Sequence, residues 1–163
     1  MRERRARGER RRAREFEAFV AGAAGRLLHA ATLLTAERPG SAPEAERLLI
    51  AALARSYAEW PRLRGTRGDD PYEHTRGELA ARFAHASWRY RRAHGGLLGE
   101  LPPRERLVIV LRLYEGVAEE QVAAQLGLPP ERVRALCLRA MATLLSSPPA
   151  PGAAAHEPLE GAL

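Results

Sequence analysis

The sequence has no lysine and no asparagine, a single cysteine, and only 6% aromatic residues. One cysteine, Cys137, excludes an intrachain disulfide and a cysteine-cluster zinc site. It falls on the apolar face of a helical pattern, where it reads as a small core residue. No uninterrupted run of 18 apolar residues occurs, so no membrane span and no membrane partner are expected. Phosphate-binding glycine loops and nucleophile motifs are also missing. The histidines (His29, His74, His85, His94 and His156) are scattered, with no pair at metal-ligand spacing beside a carboxylate. No catalytic residue, metal site or cofactor is therefore assigned, and the chain is not expected to be an enzyme. Glu15, Glu17 and Arg26 interrupt the apolar stretch an export signal would need after the basic start, and no twin-arginine motif appears, so a cytoplasmic location is expected.

All 26 basic residues are arginine, and the net charge is +6. That charge is unevenly spread. Residues 1–14, MRERRARGERRRAR, hold eight arginines and two glutamates. Residues 97–145 hold six of each sign and are neutral. The basic start is expected to be a disordered arm, because it has almost no apolar surface to bury. It reads equally as a solvated tail or as a strand of charge lying along nucleic acid or another acidic surface. Residues 146–163, rich in Pro, Ala and Gly, are expected to be a disordered tail.

The most informative stretch runs from Leu101 to Leu145 and reads as three helices. Pro102-Pro103 suits a helix start, where the missing proline N–H would be unpaired anyway. Leu107, Val110, Leu111 and Tyr114 recur at i, i+3, i+4 and i+7, and Gly116 supplies a left-handed stop. A short helix follows, roughly Glu119 to Leu126, then a Gly127-Leu128-Pro129 turn. A longer helix runs from about Pro130 to Leu145, with Val133, Leu136, Cys137, Ala140 and Leu144 inward. Short helix, glycine turn and longer helix make a helix-turn-helix, whose second helix can enter the major groove of DNA. Arg132, Arg134 and Arg139 lie outward and suit phosphates or guanine edges. The same pattern also fits an ordinary helical hairpin with a solvated basic face.

Upstream, residues 15–35 and about Glu44 to Trp60 read as amphipathic helices separated by Pro39-Gly40-Ser41-Ala42-Pro43. Residues 62–71 read as a polar loop. A third helix is expected from about Tyr72 to Arg92, where Phe83 and Trp88 are interleaved with Arg82, Arg89, Arg91 and Arg92. Aromatics among arginines suit stacking on unpaired bases together with phosphate contact. Helical stripes of this kind more often serve as core with a wet basic edge, and on spacing alone that reading is favoured.

Residues 101–144 resemble region 4 of an extracytoplasmic-function (group 4) sigma factor of the actinobacterial type. The likeness is carried by LPPR, the leucine-arginine-x-tyrosine-glutamate run and the Leu126-Gly127 turn. EFEAFV, LLHAATLLT and AERLLIAALARSYAEW resemble the first two helices of region 2. In that register Arg47, Ile50 and Ala51 stand where the family carries aspartate, glutamine and glutamate. The resemblance implies an all-α fold of two small helical domains, region 2-like at 15–94 and region 4-like at 95–145, flanked by the tails at 1–14 and 146–163. It implies a transcription initiation factor whose partners are RNA polymerase core and promoter DNA. Glu46, Arg47, Leu49 and Ile50 would face the polymerase. Arg82, Trp88, Arg89, Arg91 and Arg92 would touch the −10 element, and Arg132, Arg134 and Arg139 the −35 element. A second reading keeps the scaffold but binds a regulatory protein, such as an anti-sigma factor, through apolar surface including Leu138.

Overall fold

The computed structural model describes residues 1–65, 70–92 and 94–147. They form an all-α fold: α1 (Arg2–Thr35), α2 (Pro43–Ala58), α3 (Trp60–Leu63), α4 (Pro71–His85), a 3-10 turn (Ser87–Tyr90), α5 (Pro103–Ile109) continuing into a π turn (Val110–Tyr114), α6 (Glu119–Leu126) and α7 (Pro130–Ser146). The expected tail at 146–163 lies almost wholly outside the described residues.

The expectation of a disordered arm at 1–14 is corrected, because α1 begins at Arg2. Arginine and alanine are good helix formers, and adding turns to an existing helix avoids the cost of nucleation. Two i,i+4 pairs, Arg5–Glu9 and Arg11–Glu15, each at 3.7 Å, add modest support. Arg12 also reaches across to donate to the Tyr57 carbonyl and lies over the Tyr57 ring. By length and composition α1 contains a window apolar enough to cross a membrane. Its most apolar residues are core residues here, with Leu27, Ala30, Ala31 and Leu34 each at most 2% exposed.

The second half of α1 packs on α2 and α4 through Leu34, Ala45, Leu48, Ala52, Leu79 and Phe83. No side chain at Ala42 can cap α2. The buried Glu37 does so instead, accepting from the backbone N–H groups of Glu44 at 3.1 Å and Ala45 at 2.9 Å. Thr35 donates to the same carboxylate at 2.8 Å. The first-turn N–H groups of α2 thereby gain partners from a residue outside the helix. Asp70 caps α4 in the usual way, accepting from Tyr72 and Glu73.

The two expected halves meet in one contiguous cluster of buried residues running from Ala30 to Ala140. The joint between them is pinned to the α1–α2 corner. His94 and Gly96 both donate N–H bonds to the Ala36 carbonyl, at 3.2 and 2.9 Å. Ala36 itself sits at φ 55° in the left-handed region that ends α1. Deeper in the seam lies Arg106, wholly buried. Its guanidinium donates to three backbone carbonyls: Leu101 at 2.8 Å, Leu34 at 2.9 Å and Tyr90 at 2.7 Å. Burial lowers its pKa from the ordinary arginine value. The Leu34 carbonyl belongs to the last turn of α1, which has no basic residue of its own. Arg106 therefore supplies the cation that a helix C-terminus favours.

A second polar contact crosses the same seam. The Glu115 carboxylate, almost fully buried, accepts from the Tyr72 hydroxyl at 3.0 Å and faces Arg26 at 3.5 Å and Arg76 at 3.7 Å. Burial first, and then the bond to Glu115, push the Tyr72 hydroxyl up to about 12.

Candidate nucleic-acid interface

The C-terminal segment has the expected order of short helix, turn and long helix. Gly127 takes φ 64° at the end of α6, and the Leu128 N–H reaches back to the Ala123 carbonyl at 2.9 Å. Only residues that tolerate the left-handed region suit that corner. Ala118, at the start of α6, offers no capping side chain. Val122 and Ala123 of α6 are buried, as are Val133, Leu136 and Ala140 of α7, and these five residues belong to one core cluster. That burial turns the opposite side of α7 outward.

Arg132, Arg134 and Arg139 are all exposed on α7. Their electrostatic states differ. Arg134 grips Glu119 of α6 through Nη2 at 2.7 Å and Nε at 3.3 Å, and this bond and charge raise its pKa. Arg139 faces the buried Glu105 of α5 at 3.5 Å. Arg132 has no carboxylate partner among the described residues. In both pairs the guanidinium is exposed while its carboxylate is largely buried. Beside the arginines, Leu138, Met141 and Leu145 are exposed on the same helix, at 61%, 39% and 84%.

In the N-terminal half the expected third helix ends early, at His85, and a 3-10 turn carries Trp88 and Arg89. The two aromatics separate cleanly: Phe83 is fully buried against Tyr90, whereas Trp88 is 67% exposed. For Trp88 the core alternative is thereby removed. Arg47 of α2, with Arg82 and His85 of α4 and Arg89, line one groove of about 620 Å³ between the helices. Its one carboxylate, Glu44, pairs with Arg47 and lies 3.9 Å from Arg89. Arg82 is held more loosely, 3.9 Å from Glu78. Arg91 and Arg92 are exposed just beyond the turn. The structure thus brings Arg47, Arg82 and Arg89 together and leaves Arg91 and Arg92 outside the groove.

Of the residues expected to face the polymerase, Glu46, Arg47 and Ile50 are exposed on α2. Leu49 is corrected: it is 6% exposed and packs with Ala23 and Leu27. In a helix with 3.6 residues per turn, neighbouring positions point about 100° apart. Leu49 falls on the α1 side while Ile50 falls on the open one.

Sequence reasoning missed Glu119 and Glu105, which pair with the α7 arginines, and Arg106 and Glu115, which lie in the seam behind them. Arg106 carried a legible signal, since it sits three and four residues before Ile109 and Val110 and so shares their buried face. The carboxylates carried none, because their arginine partners come from other helices.

A neutral three-helix segment with a left-handed glycine corner and an outward arginine-bearing helix has the geometry of a helix-turn-helix. Residues 97–144 match the family model described as Sigma-70, region 4. No curated protein and no solved structure matches the chain.

Proposed function

We propose that the protein is a sigma-like transcription initiation factor of the extracytoplasmic-function group. The observation that carries this reading is the region 4 match laid over an intact helix-turn-helix. Its α7 would meet the −35 promoter element, with Arg132 available at once and Arg134 and Arg139 exchanging carboxylates for phosphates. The N-terminal half would dock on RNA polymerase core through Glu46, Arg47 and Ile50 of α2. Trp88, Arg82 and Arg89, with Arg91 and Arg92 beside them, would meet the −10 element, the exposed indole stacking on an unpaired base. The neutral charge of residues 97–145 fits a domain that gains specificity only on the polymerase. In this reading the protein acts in the cytoplasm by binding and carries out no chemistry of its own.

The test is transcription reconstituted with core polymerase, using DNA selected by the complex from a random pool. Initiation at an enriched site is expected. A failure of any sequence to be enriched or transcribed overturns the proposal.

A second reading is favoured by the apolar stripe Leu138, Met141 and Leu145 and by the pairing of Arg134 and Arg139. In it the protein binds a regulator, such as an anti-sigma factor, without initiating transcription. Pull-down from native cells separates the two: polymerase subunits support the first, and a regulatory partner without polymerase supports the second.

A further inference from the structure

We propose that the first four turns of α1 form an arm that binds the sugar–phosphate backbone of duplex DNA. Residues 1–14 carry a net +6, the entire formal excess of the chain. In α1 this charge becomes ordered. Arg4, Arg7, Arg11 and Arg14 recur at i, i+3, i+7 and i+10, so they share one face over about 15 Å of helix. That face is turned away from Phe16, Phe19, Ala23 and Leu27, which pack inward. Among the described residues Arg4 and Arg7 have no ion-pair partner. Among the described residues Arg11 has the 3.7 Å pair with Glu15 and is 80% exposed, and Arg14 hydrogen-bonds to the Arg10 carbonyl without an ion-pair partner.

A cleft of about 410 Å³ lies at the base of the arm, between α1 and α3, and Arg11, Arg12, Glu15, Trp60 and Arg64 line it. Two buried donors belonging to its lining residues, Nε of Arg12 and the indole N–H of Trp60, have no acceptor among the described residues. A phosphate oxygen is the kind of acceptor they lack. The positive charge there comes only from arginine, whose planar fork matches phosphate in two-bond geometry.

A lipid surface fits less well. Residues 2–14 offer only Ala6 and Ala13 as apolar side chains, and an interfacial helix needs an apolar face to bury. The choice of duplex DNA rests on the region 4 reading; the backbone chemistry does not.

Full-length chains are titrated onto a labelled duplex of arbitrary sequence, between about 50 and 200 mM salt. Compared with the wild type are the quadruple variant Arg4→Ala, Arg7→Ala, Arg11→Ala, Arg14→Ala and the pair Arg132→Ala, Arg139→Ala. Alanine favours helix, and circular dichroism checks that α1 persists. The quadruple variant is expected to flatten the slope of log affinity against log salt by ~3–4, on every sequence. A matching Arg→Lys quadruple variant keeps the slope and so separates charge from fold.

An unchanged slope in the alanine variant overturns the arm, as does an equal loss in the lysine variant. Tighter binding to an RNA hairpin, or to phosphatidylserine vesicles, than to the duplex overturns the choice of duplex DNA. The Arg132, Arg139 pair answers a different question. Retention of all sequence preference in that variant counts against the region 4 reading alone and leaves the arm standing.

Discussion

Replacing Arg106 by methionine tests whether one buried guanidinium joins the two parts of the chain. The substitution keeps an unbranched side chain of similar length and deletes all three donors. Hydrogen bonds from a charged group each contribute roughly 1.5–3 kcal/mol, so three amount to about 5–9 kcal/mol. Against this stands the desolvation of the guanidinium, several kcal/mol, which methionine does not incur. The difference predicts a loss of about 2–4 kcal/mol, with the Leu34, Tyr90 and Leu101 carbonyls left buried and unpaired. Set against a typical total of about 5–15 kcal/mol, that is a large fraction. Urea unfolding followed by circular dichroism measures it. With a slope near 2 kcal/mol/M, the midpoint should fall by about 1–2 M at unchanged slope. Arg106→Lys keeps the charge but loses the fork, and should fall between wild type and methionine. A midpoint shift below roughly 0.3 M for methionine would refute the reasoning, because it would mean that the bonds and the desolvation cancel.

Three further outcomes are expected. Glu37→Gln removes the charged cap of α2 and should cost about 1–2 kcal/mol in the same unfolding assay. Gly96→Ala would place a methyl group 2.4 Å from the Ala36 carbonyl carbon and 2.5 Å from the Glu37 oxygen, both backbone atoms that cannot turn aside; thermal melts should show a lowered midpoint or loss of soluble protein. Tyr72, held protonated in the folded state to about 12, stabilises the fold fully below the ordinary tyrosine pKa near 10, and this contribution disappears as pH climbs from there through 12. Burial also raises Tyr90, so ultraviolet titration should show late tyrosine ionisation that Tyr72→Phe reduces without abolishing.

The segment from Leu101 onward was the most legible, because its punctuation is chemical. Pro103 and Pro130 sit in the first turns of α5 and α7, and Gly127 closes α6, each for reasons fixed by the local backbone. The order and the bounds of α6 and α7 followed from that. Composition misled at residues 1–14, where arginine density suggested a solvated coil. Low apolar content argues against an independent core, yet α1 needed none there, since a packed helix already stood behind it to be extended. The early stop of α4 at His85 was also hidden, because no proline or glycine marks Ala86. At the candidate interface, positions were readable and charge states were not. Helical spacing placed Arg132, Arg134 and Arg139 outward, but Glu119 and Glu105 reach them across helix–helix contacts that no local pattern encodes.

The Arg106 seam bears on how this molecule can be dissected. A fragment cut within 93–100 would take the guanidinium away from the Leu34 and Tyr90 carbonyls, leaving α1 with a bare C-terminal end and the arginine with one acceptor of three. Excised pieces would therefore expose raw polar ends and adjoining apolar surface that the intact chain conceals, inviting aggregation or artefactual ligand capture. Separate expression of the two parts would be measuring those wounds as much as any native recognition.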